Sequence, residues 1–249
     1  MPRRLLLLAA LALLAAGCGS DAKPTLTVSA ATSLKSAFTA YGRDFGDATV
    51  RESFAGSDEL AAQIRQGVRP DVFASANTTL PDELYKHGLL EKPVVFAANR
   101  LVLAVPASGA KVGGLADLAK PGTTIAMGSA SVPIGAYTRK VLAKLPGGQA
   151  HAILANVRSN EPDVGGVVGK ITQGAVDAGF VYVTDVRAAD GRLRAIDLPP
   201  SLQPQVAYGV AVVRGSEHRA QAQAFVNGLL KGQGRTQLDA AGFMRPPGT

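Results

Sequence analysis

The 249-residue chain is 47% hydrophobic, carries a formal charge of +7 and contains one cysteine. A single thiol excludes a disulfide framework and a cysteine-rich metal site, so a buried core must supply the stability. The basic excess is modest and comes without a dense Lys/Arg run or interleaved aromatics, which argues against nucleic-acid binding.

The first segment is an address rather than part of a fold. Arg3 and Arg4 precede an unbroken apolar run from Leu5 to Ala16, which ends in Gly17-Cys18-Gly19-Ser20. A positive start, a short apolar centre and a small-residue exit describe a secretory signal over residues 1–17. The run is shorter than the ~20 residues that span a bilayer. Ala15-Ala16-Gly17-Cys18 resembles a bacterial lipoprotein cleavage site, with Ala15 where Leu is usual. Diacylation of Cys18 accounts for a lone thiol in an exported chain, and residues 18–24 then form a tether. The paired arginines also open a folded-export signal, but the rest of that motif is missing, so export in the unfolded state is expected. Removing the first 17 residues leaves 232, with a charge of about +5 and room for two lobes.

After the tether, Leu26 to Ala30 predicts a strand, and Leu34, Ala37, Phe38, Tyr41 and Phe45 recur at helical spacing. Strands at Val50 to Phe54 and Asp71 to Ala76 flank a helix through Leu60 and Ile64. This βαβαβ rhythm predicts a mostly parallel sheet covered by helices. Leu101 to Pro106 is a long apolar strand. A second α/β set follows: a strand from Thr124 to Met127, helices at about 133–145 and 162–173, and a strand from Gly179 to Val183. Val206 to Val213 is another long apolar strand, followed by helices at 217–230 and about 234–240. The two long strands bracket the middle of the chain, so the lobes are expected at 25–104 with 206–249, and at 105–205.

Three predicted helix starts offer hydroxyls or free N–H groups with no charged residue expected on the ligand side: Thr32-Ser33, Gly56-Ser57 and Asn160-Glu161-Pro162-Asp163. A helix start carries unpaired N–H donors and the positive end of the macrodipole, which together suit an oxyanion. Ser and Thr are also ordinary N-caps, so any one of these starts alone says little. Taken with their surroundings they say more. The segments 30–34, 54–60 and 71–76, followed by 132–135, 161–164 and 179–182, resemble the periplasmic molybdate-binding proteins in order and spacing.

That resemblance implies a two-lobed type II periplasmic-binding fold of the α/β class, with an anion in the cleft between lobes. It implies hydroxyl contacts from Ser33, Ser57 and Tyr182, and main-chain N–H contacts from Ile134 and Val164. Alanine is frequent in the family at the position of Ile134, so the larger side chain must point away from the ligand. The implied ligand is molybdate or tungstate, bound as the oxyanion without a resident cofactor. The implied partner is an ABC importer, served by a monomer held at the membrane by its lipid.

Rival readings are a sulfate or other oxyanion binder on the same fold, a structural lipoprotein, and an enzyme. Phosphate is partly protonated at pH 7 and asks for an acceptor; Asp163, the nearest carboxylate, is placed to cap its own helix. His87, His151 and His218 form no pair with a motif-borne serine, and no catalytic or phosphate-loop motif occurs.

Overall fold

The computed structural model describes residues 23–246. The signal segment and Cys18 lie outside the described residues. The first lobe begins with β1 (Thr25–Ala31), a 3-10 turn (Thr32–Leu34), α1 (Lys35–Asp44), β2 (Thr49–Ala55), α2 (Ser57–Arg65), β3 (Val72–Ser75), α3 (Thr79–Lys86) and β4 (Val94–Asn99). The second holds β5 (Leu101–Pro106), β6 (Ile125–Gly128), α4 (Pro133–Leu142), α5 (Gln149–Ala155), β7 (Val157–Glu161), α6 (Val164–Thr172), β8 (Ala178–Tyr182), α7 (Val183–Ala188) and β9 (Leu193–Asp197). The chain then returns to the first sheet with β10 (Val206–Val212) and closes on α8 (Arg219–Leu230) and α9 (Gln233–Ala241).

Each lobe is built on a five-stranded sheet, with orders β2-β1-β3-β10-β4 and β7-β6-β8-β5-β9. Within each sheet the first three strands are parallel. One long strand enters each sheet against them: β10 pairs antiparallel with β3 and β4, and β5 pairs antiparallel with β8 and β9. The sheets are therefore mixed rather than simply parallel, and the reversed strands are the two apolar runs that stood out in the sequence.

One boundary moves. Leu101 already pairs with Tyr182, so the chain passes between sheets at Arg100 and not after residue 104. The apolar stretch from Val94 to Pro106 is nearly continuous and hides a complete strand, β4, ahead of the passage. Only Asn99-Arg100 interrupts it.

Hydrophobic burial positions these elements. Leu101 to Val105 have no exposed surface, as expected of a strand covered on both faces. In the first lobe Phe38, Tyr41 and Phe45 of the α1 stripe meet Phe225 of α8 with ring centroids 4.5–5.7 Å apart. Fully burying side chains of this size contributes ~1.5–3 kcal/mol each. These contacts fix the start of α1, and with it the turn that follows β1.

Candidate functional site

The site lies where the parallel strands of both sheets end. The turn after β1 carries Thr32 and Ser33, and the turn after β2 carries Gly56 and Ser57. The turn after β6 leads to Ile134, the turn after β7 leads to Val164, and β8 ends on Tyr182. Carboxyl ends of parallel strands are the usual place for a ligand crevice in an open α/β sheet. Here two such edges face each other, and all five predicted site residues line one narrow cavity between them.

Each donor is held by local geometry. Ser57 is the first residue of α2, with Gly56 at the N-cap, and is 1% exposed. Its Oγ accepts the Ala76 N–H at 3.1 Å, which leaves the hydroxyl proton uncommitted. Pro133 occupies the first turn of α4, where its missing N–H costs nothing, and Ile134 follows. The Ile134 side chain packs against Gly128 at the end of β6, where an added Cβ would come within 2.5 Å of it. Its bulk is thus taken up inside the second lobe. Val164 opens α6, capped by Asp163, whose Oδ1 accepts the Gly166 N–H at 3.0 Å.

Tyr182 is the most telling residue. Its hydroxyl is buried and has no hydrogen-bond partner, and neither does the Thr32 hydroxyl on the opposite wall. An unsatisfied buried polar group costs ~1–3 kcal/mol, so each asks for an explanation. Burial, then the nearby Tyr208, Tyr137 and Asp185, push the Tyr182 phenol well above its ordinary pKa. It stays protonated and can donate. Thr32 stands within the sequence motif but was not among the five expected contacts; two adjacent hydroxyls at one helix start gave no basis for choosing both.

The walls carry no Lys or Arg, and their one charged residue is Asp163. A second carboxyl, Asp185, lies behind Tyr182 and accepts its N–H at 2.8 Å. Burial pushes this group up to about 7, the Tyr182 N–H pulls it back, and Asp163 adds to the rise. Near neutral pH much of it is therefore uncharged, which limits the negative field behind the cavity.

The lobes touch at the site. A Cβ on Gly56 would meet the Pro162 carbonyl at 2.4 Å, and one on Gly165 would meet the Thr32 methyl at 2.8 Å. Both glycines permit a close approach that any side chain would block, so the structure shows the lobes shut over the cavity.

The histidines lie elsewhere. His87 caps the end of α3, His151 lies in α5, and His218 reaches Asp71 at 3.4 Å. Among the described residues no cluster of three or more His, Cys, Asp or Glu side chains is arranged to hold a metal ion.

Comparison with known proteins agrees with this geometry. Residues 26–244 match the family model for bacterial extracellular solute-binding proteins. The chain is 36% identical to the molybdate-binding protein ModA of Mycobacterium tuberculosis, over 94% of this chain and 95% of that one. The Azotobacter vinelandii periplasmic molybdate-binding protein superposes with a TM-score of 0.78 at 24% identity, covering 89% of this chain and 99% of that one. The sulfate-binding protein SubI of Mycobacterium tuberculosis superposes with a TM-score of 0.79 at 18% identity, over 90% and 88%. The two structural likenesses speak for the fold alone. With its two-lobed fold and its likeness to ModA over 94% of its length, the chain belongs to the bacterial extracellular solute-binding proteins, a family of transport proteins and not of enzymes.

Proposed function

We propose that this protein captures molybdate in the cavity between its lobes and delivers it to an ABC importer, and that it accepts tungstate about as well. The observation that carries the reading is the buried, unpartnered Tyr182 hydroxyl on the wall of a cation-free cavity. Molybdate is fully deprotonated at neutral pH and can only accept hydrogen bonds. A wall of donors suits it, and an arginine is not required when helix starts supply N–H groups.

The contacts proposed are the hydroxyls of Ser33, Ser57 and Tyr182 with the N–H groups of Ile134 and Val164, joined by Thr32. Hydrogen bonds to a charged partner contribute ~1.5–3 kcal/mol each. Five or six of them are enough to offset dehydration and lobe closure and leave the ~8–12 kcal/mol of micromolar to nanomolar binding. Selectivity against sulfate then comes from size, because a shut cage set for the longer metal–oxygen bonds leaves sulfate with stretched contacts. Tungstate, nearly the same size, escapes that test.

Export and a lipid anchor at Cys18 complete the proposal, with a monomer working against permease subunits. Mass spectrometry of the mature N-terminus checks the anchor: a diacylated Cys18 is expected, and an unmodified one removes it. Titration calorimetry with molybdate, tungstate, sulfate and phosphate checks the ligand. Tight binding of the first two is expected, with sulfate at least ~100-fold weaker; equal affinity for sulfate would replace molybdate by a general oxyanion.

A further inference from the structure

A chain of buried side chains runs from the crossover between lobes to Ser33. Asn99, at the end of β4, accepts the Arg100 N–H on its Oδ1 at 2.8 Å. That bond orients the amide, and Nδ2 donates to the Thr184 hydroxyl at 2.9 Å and to the Tyr208 hydroxyl at 3.3 Å. Tyr208 in turn lies 3.1 Å from Ser33 Oγ. Asn99, Thr184 and Tyr208 are all buried, so water does not compete for these bonds.

The directions of these bonds are set from one end. Asn99 Nδ2 can only donate, so the Tyr208 oxygen receives a proton there. The Tyr208 proton then has Ser33 Oγ as its acceptor, and Ser33 keeps its own proton for the cavity. We infer that Tyr208, held by Asn99, is a positioning residue that fixes the Ser33 hydroxyl as a donor towards the bound oxyanion. Ser57 is biased to the same polarity by a shorter route, since the Ala76 N–H already occupies one of its two lone pairs. Burial, with Asp185 nearby, holds the Tyr208 phenol well above its ordinary pKa, so its proton stays in place.

The inference rests on the oxyanion reading above, because only an acceptor-only ligand needs both serines turned this way. A double-mutant cycle on molybdate affinity, with Ser33→Ala, Tyr208→Phe and the pair, tests it. Tyr208→Phe is expected to raise Kd about tenfold, the effect of one mis-set hydrogen bond to a charged group. In the Ser33→Ala background the same change is expected to shift Kd less than about twofold. An equal loss in both backgrounds, or no loss in either, overturns the relay. Asn99→Asp, which accepts the Tyr208 proton and so reverses the chain, is the second variant should Tyr208→Phe not fold, and it is expected to weaken binding as well. Wild-type protein that ignores molybdate would fail the ligand reading instead. A neutron structure of the deuterated, unliganded protein judges the relay separately: a deuteron on Tyr208 directed at Ser33 supports it, and one on Ser33 directed at Tyr208 overturns it.

Discussion

The two lobes are variations on one plan, and the site lies where they differ. Their sheets share the same strand order, with one reversed strand in the same place. Each fastens its first and third parallel strands with the same clip. In the first lobe the Thr27 N–H and hydroxyl donate to Asp71 at 2.7 and 2.8 Å, while the Asp71 N–H donates back to Thr27 Oγ1 at 3.1 Å. In the second, Thr124 and Asp177 repeat the three bonds at 2.9, 2.7 and 3.0 Å. The donors at the cavity are not repeated. In the proposed cage the first lobe supplies side-chain hydroxyls, those of Thr32, Ser33 and Ser57. In the same proposal the second supplies the helix-start N–H groups of Ile134 and Val164, fixed by the backbone, with the Tyr182 phenol.

Breaking the contact between the halves should have the largest effect. Gly56→Val puts a side chain where the Pro162 carbonyl already sits. Within its own lobe the new side chain meets the Asp58 carboxyl at 2.8 Å, a side-chain end that can turn aside, but the shut form is blocked, so ligand binding should weaken by ~3 kcal/mol, the upper end for overpacking. Calorimetry reads the loss, and an unchanged unliganded melting temperature shows that it lies in closure.

The two kinds of donor can be removed one at a time. Ser57→Ala deletes a side-chain donor and should weaken molybdate binding by ~2 kcal/mol. Val164→Pro deletes a fixed one, while Val164→Ala keeps it. Proline is tolerated at a first helical position, and Asp163 at φ −152°, ψ 175° already has the extended backbone that precedes proline. Val164→Pro should therefore cost ~1.5 kcal/mol more in binding than Val164→Ala. Equal affinities for the two variants would remove that N–H from the cage.

The clips, by contrast, should matter to stability and not to selectivity. Thr27→Val and Thr124→Val should each lower unfolding free energy by ~1 kcal/mol, to similar extents. Burial raises both partner carboxyls, but hydrogen bonds outweigh it: Ser216 and Thr27 hold Asp71 below the usual range, and Thr124 and Lys111 do so for Asp177. A depressed carboxyl stabilises the fold above its unfolded value near 3.9 and loses that contribution as pH falls through the folded value. Denaturant melts of wild type should therefore weaken below about pH 4, and the Thr→Val variants should show a shallower acid decline.

Part of the site was legible in the sequence because the helix starts at Thr32-Ser33, Gly56-Ser57 and 160–163 advertise themselves through Ser, Gly and Pro at the end of a strand. Ile134, Val164 and Tyr182 came from the resemblance to the molybdate-binding proteins, and all five residues line one cavity. The passage between lobes was read four residues late because β4 and β5 form one apolar run, and hydrophobic periodicity does not mark a change of sheet. The edge strands β7 and β9 were missed since each is half exposed and carries too few apolar residues to stand out. Tyr208 and Asn99 left no local signal. Their role depends on contacts 175 and 109 residues apart, which only the folded chain brings together.

The central claim is that a cation-free cage holds the anion, although cations are close by. An open groove next to the cavity, sharing Thr32 and Ser33 with it, is lined by Lys35, Arg43, Arg187 and Arg192. A crystal structure with molybdate, with the metal located by anomalous scattering, decides between the two. The expected result is one molybdate in the interlobe cavity, its oxygens ~2.7–3.1 Å from the Tyr182 hydroxyl and the Ile134 and Val164 nitrogens, with no Lys or Arg in contact. Molybdate seated in the groove against those four cations, with the Tyr182 hydroxyl still unpartnered, would contradict it.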